Sequence, residues 1–166
     1  MKIRNYTSTD LEICRSLWSE MVQQHRDNYD DQTIGGDNPG LEFDEHIGKI
    51  GSENIWLAES NGEVVGFTSL IKNDQEAEIE PIVVSNKHRG KGVGKFLIKH
   101  AAEEAKKQNI LCLYVKPVAR NKEAISFFHD CGFKTVGHIQ LFKWFGEETE
   151  DTWQEGLEIF GKKFNY

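Results

Sequence analysis

Three glycines at alternate positions, Gly90, Gly92 and Gly94, stand inside the basic run Lys87-His88-Arg89-Gly90-Lys91-Gly92-Val93-Gly94-Lys95. A β-branched stretch, Ile82-Val83-Val84, precedes them, and Val93, Phe96, Leu97, His100, Ala101 and Ala105 follow on one helical face. The chain must therefore pass from a strand through a glycine loop into a helix spanning about residues 92 to 108. Glycine lets backbone approach a ligand closely, the first N–H groups of a helix lack acceptors within it, and the helix dipole favours an anion there. Lys87, Arg89, Lys91, Lys95 and Lys99 add positive charge with no acid before Glu103, which suits a ligand carrying several phosphates. Lys95 occupies the place of a P-loop's second glycine, and the glycines read G-x-G-x-G rather than G-x-G-x-x-G. Those departures argue against a P-loop phosphotransferase and a dinucleotide-binding domain.

Upstream, Ile55–Ala58 and Val64–Phe67 flank Asn61-Gly62, a dipeptide suited to a tight hairpin turn. A third strand from about Ala77 to Val84 completes a meander, and Pro81 within it predicts a disturbed ladder. Residues 2–7 read as a strand, after which Ser8-Thr9-Asp10 can cap a helix reaching about His25. From Asp27 to His46 there are seven acids and no Lys or Arg, with Gly35-Gly36 and Pro39-Gly40 interrupting, so a loop is expected with a short helix near Leu41. Downstream, Ile110–Val118 reads as a strand, Lys122–Cys131 as a helix and Lys134–Phe145 as strand-like, an order that implies parallel pairing. Trp153, Leu157, Phe160 and Phe164 fall at i, i+4, i+7 and i+11, predicting a C-terminal amphipathic helix over about 147–164. That helix would cover its own sheet or a second subunit, which leaves a homodimer open.

At 166 residues the chain is expected to be a single α/β domain, 1–166. Its formal charge of −7 argues against a nucleic-acid binder, and no apolar run approaches the ~20 residues that span a bilayer. Cys14, Cys112 and Cys131 are odd in number with no C-x-x-C pair, so a reducing cytoplasm fits better than a disulfide framework or a zinc knuckle. Cys112 and Cys131 read as packing residues. His25 and His46 lack a third partner at metal spacing, so no metal is expected.

Arg89-Gly90-Lys91-Gly92-Val93-Gly94 fits the signature Arg/Gln-x-x-Gly-x-Gly/Ala, and Asn121, Ala124, Phe127, Phe128, Gly132 and Phe133 fit N-x-x-A-x-x-hydrophobic-aromatic-x-x-x-G-F. With both motifs in order, about residues 2 to 140 resemble the GCN5-related N-acetyltransferase (GNAT) family. The resemblance implies a mixed, partly splayed sheet flanked by helices, here extended by the C-terminal helix. It implies acetyl-CoA as co-substrate, with its pyrophosphate on the amides of Gly90, Lys91, Gly92, Val93 and Gly94 beside Arg89 and Lys95. Backbone groups of Ile82, Val83 and Val84 would pair with the pantetheine arm, and the Asn121 side chain would contact it.

A lysine-like amine has a pKa of roughly 10.4 and attacks a thioester only when neutral, so a base must take its proton. Glu78 and Glu80 alternate with Ala77, Ile79 and Pro81 and so share a strand face. Glu80, two residues before Ile82, is the first choice as base, and Glu78 the second, placed to hold the acceptor's positive charge. Two solvated glutamates on an exposed face would look the same in sequence. Phe128 stands where many relatives carry a Tyr that protonates the departing thiolate; Tyr114, His129 and Cys131 are near it in sequence, and a thiol pKa near ~8.5 makes unassisted departure feasible. In the family the acceptor site is bordered by the first helices and the end of the chain, so the acidic 27–46 segment suggests a cationic small molecule or peptide, with Trp18, Tyr29, Trp56 and Trp144 available as pocket walls. The sequence thus reads as an N-acetyltransferase working by direct attack in a ternary complex. The alternative is a catalytically weak acyl-CoA sensor or partner-binding module that retains the cradle and has lost the acid at Phe128.

Overall fold

Asn61 and Gly62 both take positive φ, 54° and 83°, the twist that a two-residue hairpin needs. They join β2 (Ile55–Ser60) to β3 (Glu63–Asn73) in antiparallel register. A computed structural model of the chain describes residues 1–146 and 153–166, which form two compact units, Met1–Lys116 and Pro117–Tyr166.

In the first unit β1 (Lys2–Asn5) leads into helix α1 (Leu11–Tyr29). A turn of 3-10 helix at Pro39–Leu41 opens α2 (Glu42–Ile50), β4 (Glu76–Val84) follows the hairpin, and α3 (Val93–Lys107) carries the chain to β5 (Cys112–Tyr114). The strands lie in sequence order in one sheet, antiparallel except for the parallel pair β4–β5. Crossing from one edge of β4 to the other in the same direction requires a long connection, and α3 supplies it. Helix α1 starts where the Asp10 carboxylate accepts from the Thr7 N–H and hydroxyl, both at 2.8 Å, and from two Arg4 nitrogens at 2.7 Å. The Arg4 bonds hold Asp10 down to about 2.

The sheet is buried on both faces. On one side Cys14, Leu17, Trp18 and Val22 of α1 and Phe43 of α2 pack on Ile55, Leu57, Phe67 and Val83; elsewhere Val93 and Leu97 of α3 pack on Ala58 and Val65. Helices on both faces cover the near-continuous apolar runs Ile55–Ala58 and Val64–Phe67. At Gly66 a Cβ would collide with the Val83 carbonyl oxygen, so the β3–β4 approach depends on that glycine.

Pro81 disturbs the ladder as its missing N–H demands. Thr68 pairs with Ile82 and Leu70 with Ile79, so Ser69 alone faces both Glu80 and Pro81, a β-bulge. The Glu80–Pro81 peptide is cis. Two hydroxyls of β3 replace the interrupted ladder bonds: Thr68 Oγ1 donates to the Pro81 carbonyl at 3.0 Å, and Ser69 Oγ donates to the Glu80 carbonyl. Thr68 and Ser69 are fully buried, where an unpaired carbonyl would be costly.

In the second unit α4 (Lys122–Asp130) is capped by Asn121, whose Oδ1 accepts from the Ala124 N–H at 2.9 Å. The expected strand over Lys134–Phe145 does not form; those residues make no regular element. The expected C-terminal helix is also overturned across 153–164, while 147–152 lie outside the described residues. Strands β6 (Leu157–Ile159) and β7 (Lys162–Phe164) pair as a hairpin whose turn, Phe160 and Gly161, takes φ of 50° and 72°. Phe160-Gly161 here plays the part of Asn61-Gly62, and two successive positive φ values cannot belong to a right-handed helix. Cys14 is the buried cysteine, its thiol pushed up to about 12 by desolvation. Cys112, expected to pack, is exposed on β5. Among the described residues no helix is long and apolar enough to cross a membrane.

Candidate active site

Gly92 is the N-cap of α3 at φ 83°, and Gly90 takes φ 72°. A Cβ at either would meet nothing within 4 Å, so glycine is needed there for conformation and leaves the approach open. The N–H groups of the first helical turn have no acceptor inside the helix, no acid lies in that turn, and Lys87, Arg89, Lys91 and Lys95 are exposed around it. The entry to the loop is pinned. Ser85 N donates to the Val65 carbonyl at 2.9 Å, Ser85 Oγ meets His88 Nδ1 at 2.9 Å, and Asn86 N donates to the Glu20 carboxylate of α1 at 2.8 Å. The arrangement suits a polyphosphate.

The parallel ladder is short. Strand β5 pairs with Glu76, Ala77 and Glu78 and stops at Tyr114, while β4 runs on to Val84. From Glu80 to Val84 the edge of β4 turned away from β3 has no strand partner among the described residues, so the sheet opens beside Ile82, Val83 and Val84.

Glu78 and Glu80 fall in different surroundings. Glu78 is buried at 6% exposure and its carboxylate is bonded to Lys116 Nζ at 2.6 Å. That bond raises the Lys116 ammonium. Glu80 lines a pocket of about 220 Å³ with Trp18 from α1 and Glu42, Glu45, His46 and Lys49 from α2. Glu80 is exposed on β4, and partial desolvation by these walls, followed by the charge of Glu78, pushes its carboxyl up; Lys116 and Lys49 oppose the shift. The α2 residues sit at i, i+3, i+4 and i+7, one helical stripe. An Arg15–Asp44 pair ties α1 to α2, with Nε to Oδ1 at 2.9 Å. The indole N–H of Trp18 donates to Glu42 at 3.0 Å, and its ring centroid lies 5.1 Å from that of His46. Desolvation, then the charge of Lys49, lowers His46 to about 4.

The structure thus brings Glu80 together with four residues of the acidic segment and its helix, and it places Ile82–Val84 and the Arg89–Lys95 loop in one unit. Trp18 walls the pocket; Trp56 does not, being buried against His100 with ring centroids 5.4 Å apart. Asn121 and Phe128 belong to the second unit, where the Asn121 oxygen caps α4 and Phe128 packs between Phe127 and Phe133. Sequence reading missed Ser69, the Glu78–Lys116 pair, and the place of His46 and Lys49. The polar stripe on α2 was visible in the spacing, but its direction depends on how the helix packs. No group of three or more potential metal ligands occurs among the described residues.

Residues 12–133 match the model of the acetyltransferase (GNAT) family. The chain belongs to the GNAT family. Among GNAT relatives it is 42% identical over 66 residues to streptothricin acetyltransferase from Escherichia coli, covering 40% of this chain and 37% of that one. It is 32% identical over 80 residues to streptothricin acetyltransferase from Streptomyces lavendulae, covering 47% and 42%. These matches span about two-fifths of the relatives' length. The fold superposes on the crystal structure of ribosomal-protein-alanine N-acetyltransferase from Brucella melitensis with a TM-score of 0.67 at 21% identity, covering 82% and 86% of the two chains. The GNAT fold expected from the two motifs, with its mixed and opened sheet, is therefore present.

Proposed function

We propose that the protein is a cytoplasmic acetyl-CoA-dependent N-acetyltransferase that transfers the acetyl group to a primary amine of a cationic small molecule or peptide, by direct attack in a ternary complex. The observation that carries this reading is Glu80 in the pocket of Trp18, Glu42, Glu45, His46 and Lys49, two residues before the open edge at Ile82. Glu80 takes a proton from the acceptor ammonium. The freed amine attacks the acetyl carbonyl, the C–N bond forms, the C–S bond breaks and CoA leaves as thiolate, and the second proton of the attacking nitrogen passes through water to that thiolate, leaving the neutral amide and the CoA thiol. A raised carboxyl pKa lessens the mismatch with an ammonium near ~10.4. Glu78, tied to Lys116, is the less suited base, and its charge keeps Glu80 raised.

In this reading the amides of Gly90 through Gly94, with Arg89 and Lys95, hold the pyrophosphate, and the Ile82–Val84 backbone receives the pantetheine arm. Three carboxylates against one ammonium, with His46 neutral, give the pocket a negative balance that favours a cationic acceptor. Phe128 has no proton to give, so the thiolate leaves unassisted or is protonated by water. The test is CoA release from acetyl-CoA against spermidine, streptothricin, amino sugars and short peptides, with acetyl-CoA binding measured in the same preparation. Release that depends on a cationic amine is expected. Binding without release for any acceptor would instead favour the acyl-CoA sensor, and absence of binding would overturn both.

A further inference from the structure

At the Glu80 main-chain carbonyl lies a pair of side chains that the transfer chemistry has not used. His46 Nε2 lies 2.8 Å from Ser69 Oγ, and Ser69 Oγ is bonded in turn to the Glu80 carbonyl oxygen. A histidine beside a serine invites a reading as base and nucleophile, but Ser69 is fully buried. Its hydroxyl has one hydrogen, and a carbonyl can only accept, so that hydrogen is committed to Glu80. Toward His46 the oxygen is then an acceptor, which requires the proton on Nε2. In the neutral ring this fixes one tautomer, with Nδ1 bare.

We propose that His46 is a positioning residue: its Nε2–H, acting through the Ser69 hydroxyl, holds the Glu80 carbonyl at the bulge and so aims the Glu80 carboxyl into the pocket. The bulge is the reason a relay is needed. Ser69 faces two residues, Glu80 and Pro81, and Pro81 has no N–H, so ordinary ladder bonds cannot fix this backbone. His46 belongs to α2, which also contributes Glu42, Glu45 and Lys49 to the pocket. The relay therefore sets the distance between the base and the pocket's other charges. The charged groups that line the pocket with His46 are Glu42, Glu45 and Lys49 from its own helix and Glu80 from β4. With a pKa near 4, the ring stays neutral through the pH range in which the enzyme would work.

The proposal rests on Glu80 being the base, and the experiment separates the two ideas. In the unmodified protein, 15N-detected imidazole NMR should show the Nε2–H tautomer of His46 between about pH 6 and 8; an Nδ1–H tautomer overturns the relay whatever the activity. His46→Leu and Ser69→Ala should each lower kcat about 10- to 100-fold, the scale of a small misplacement of a reacting group. KM for acetyl-CoA should stay unchanged, measured with the amine that gives the fastest CoA release. His46→Gln, whose amide N–H reaches the same point, should recover most of the loss, and the His46→Leu/Ser69→Ala double variant should be no worse than either single one, as for two members of one chain. Loss of turnover in Glu80→Gln together with full turnover in Ser69→Ala overturns the relay and spares the base. Full turnover in Glu80→Gln overturns the base and the relay with it. A 13C titration of Glu80 moving toward an ordinary carboxylate in Ser69→Ala supports the relay without any acceptor, and an unmoved titration counts against it.

Discussion

The phosphate-type cradle and the acceptor-side pocket lie in the same unit and are built on opposite plans. The cradle is one contiguous segment, Ser85 to Lys95, whose proposed binding groups are backbone amides left without acceptors by glycines and a helix start. The pocket draws Trp18 from α1, four side chains from α2 and Glu80 from β4, so it exists only after the sheet has formed and α1 and α2 have packed. Backbone sites tolerate side-chain change and fail with backbone conformation; side-chain sites do the reverse.

Exchanging one functional group in each region tests that contrast. The largest effect is expected from Glu80→Gln, which should reduce kcat by about 10² to 10⁴, the span of general base catalysis, while acetyl-CoA binding measured by calorimetry stays within twofold. Gly92→Val at φ 83° should do the opposite. Forcing a β-branched residue into the left-handed region costs about 1–3 kcal/mol, so binding of acetyl-CoA should weaken by roughly tenfold or more, with acceptor KM unaffected. A pocket variant that abolished cofactor binding, or a cradle variant that altered acceptor choice, would break the separation.

A smaller effect concerns pH. A Glu80 base would work only when ionised, so kcat/KM should fall as pH drops through its raised pKa. Glu78→Gln removes a charge that raises Glu80 and releases Lys116, which lowers it. The acid limb of the profile should move to lower pH in that variant. A limb that stays in place would mean that another group titrates.

The smallest effect should appear in stability. The unfolded His46 ring binds a proton near its ordinary value of 6.5, whereas the folded ring does so only near 4. Between those values the unfolded chain holds more protons, so His46 should cost stability as pH falls from about 6.5 toward 4. The urea midpoint should therefore drop less between pH 7 and pH 5 in His46→Gln than in the unmodified protein.

The same contrast explains what could be read from sequence. The glycine cradle, the Asn61-Gly62 turn, the disturbance at Pro81 and the amphipathic α3 are local, and each residue carries its own reason. Ser69 stands beside Thr68 between the apolar runs Val64–Phe67 and Leu70-Ile71 of β3, and nothing in its neighbours says that Glu80 and Pro81 will lie opposite it. His46 was weighed only as a metal ligand because spacing along a helix gives a stripe without a direction. The C-terminal stripe failed for a related reason: Trp153, Leu157, Phe160 and Phe164 fit a helical period, but Gly161 between the last two turns the chain back as a hairpin.

The early end of β5 has a consequence for handling the protein. Residues Glu80 to Val84 present a row of peptide groups along a side where no strand is paired among the described residues, and such a border is a template on which another molecule's strand can add. Pro81 within it and Lys116 near it are of the kinds that proteins use to discourage that addition. A ligand whose amides run along the same border would take the template away. Storage with acetyl-CoA should therefore slow self-association in proportion to occupancy, and amide exchange at Ile82, Val83 and Val84 should slow with it.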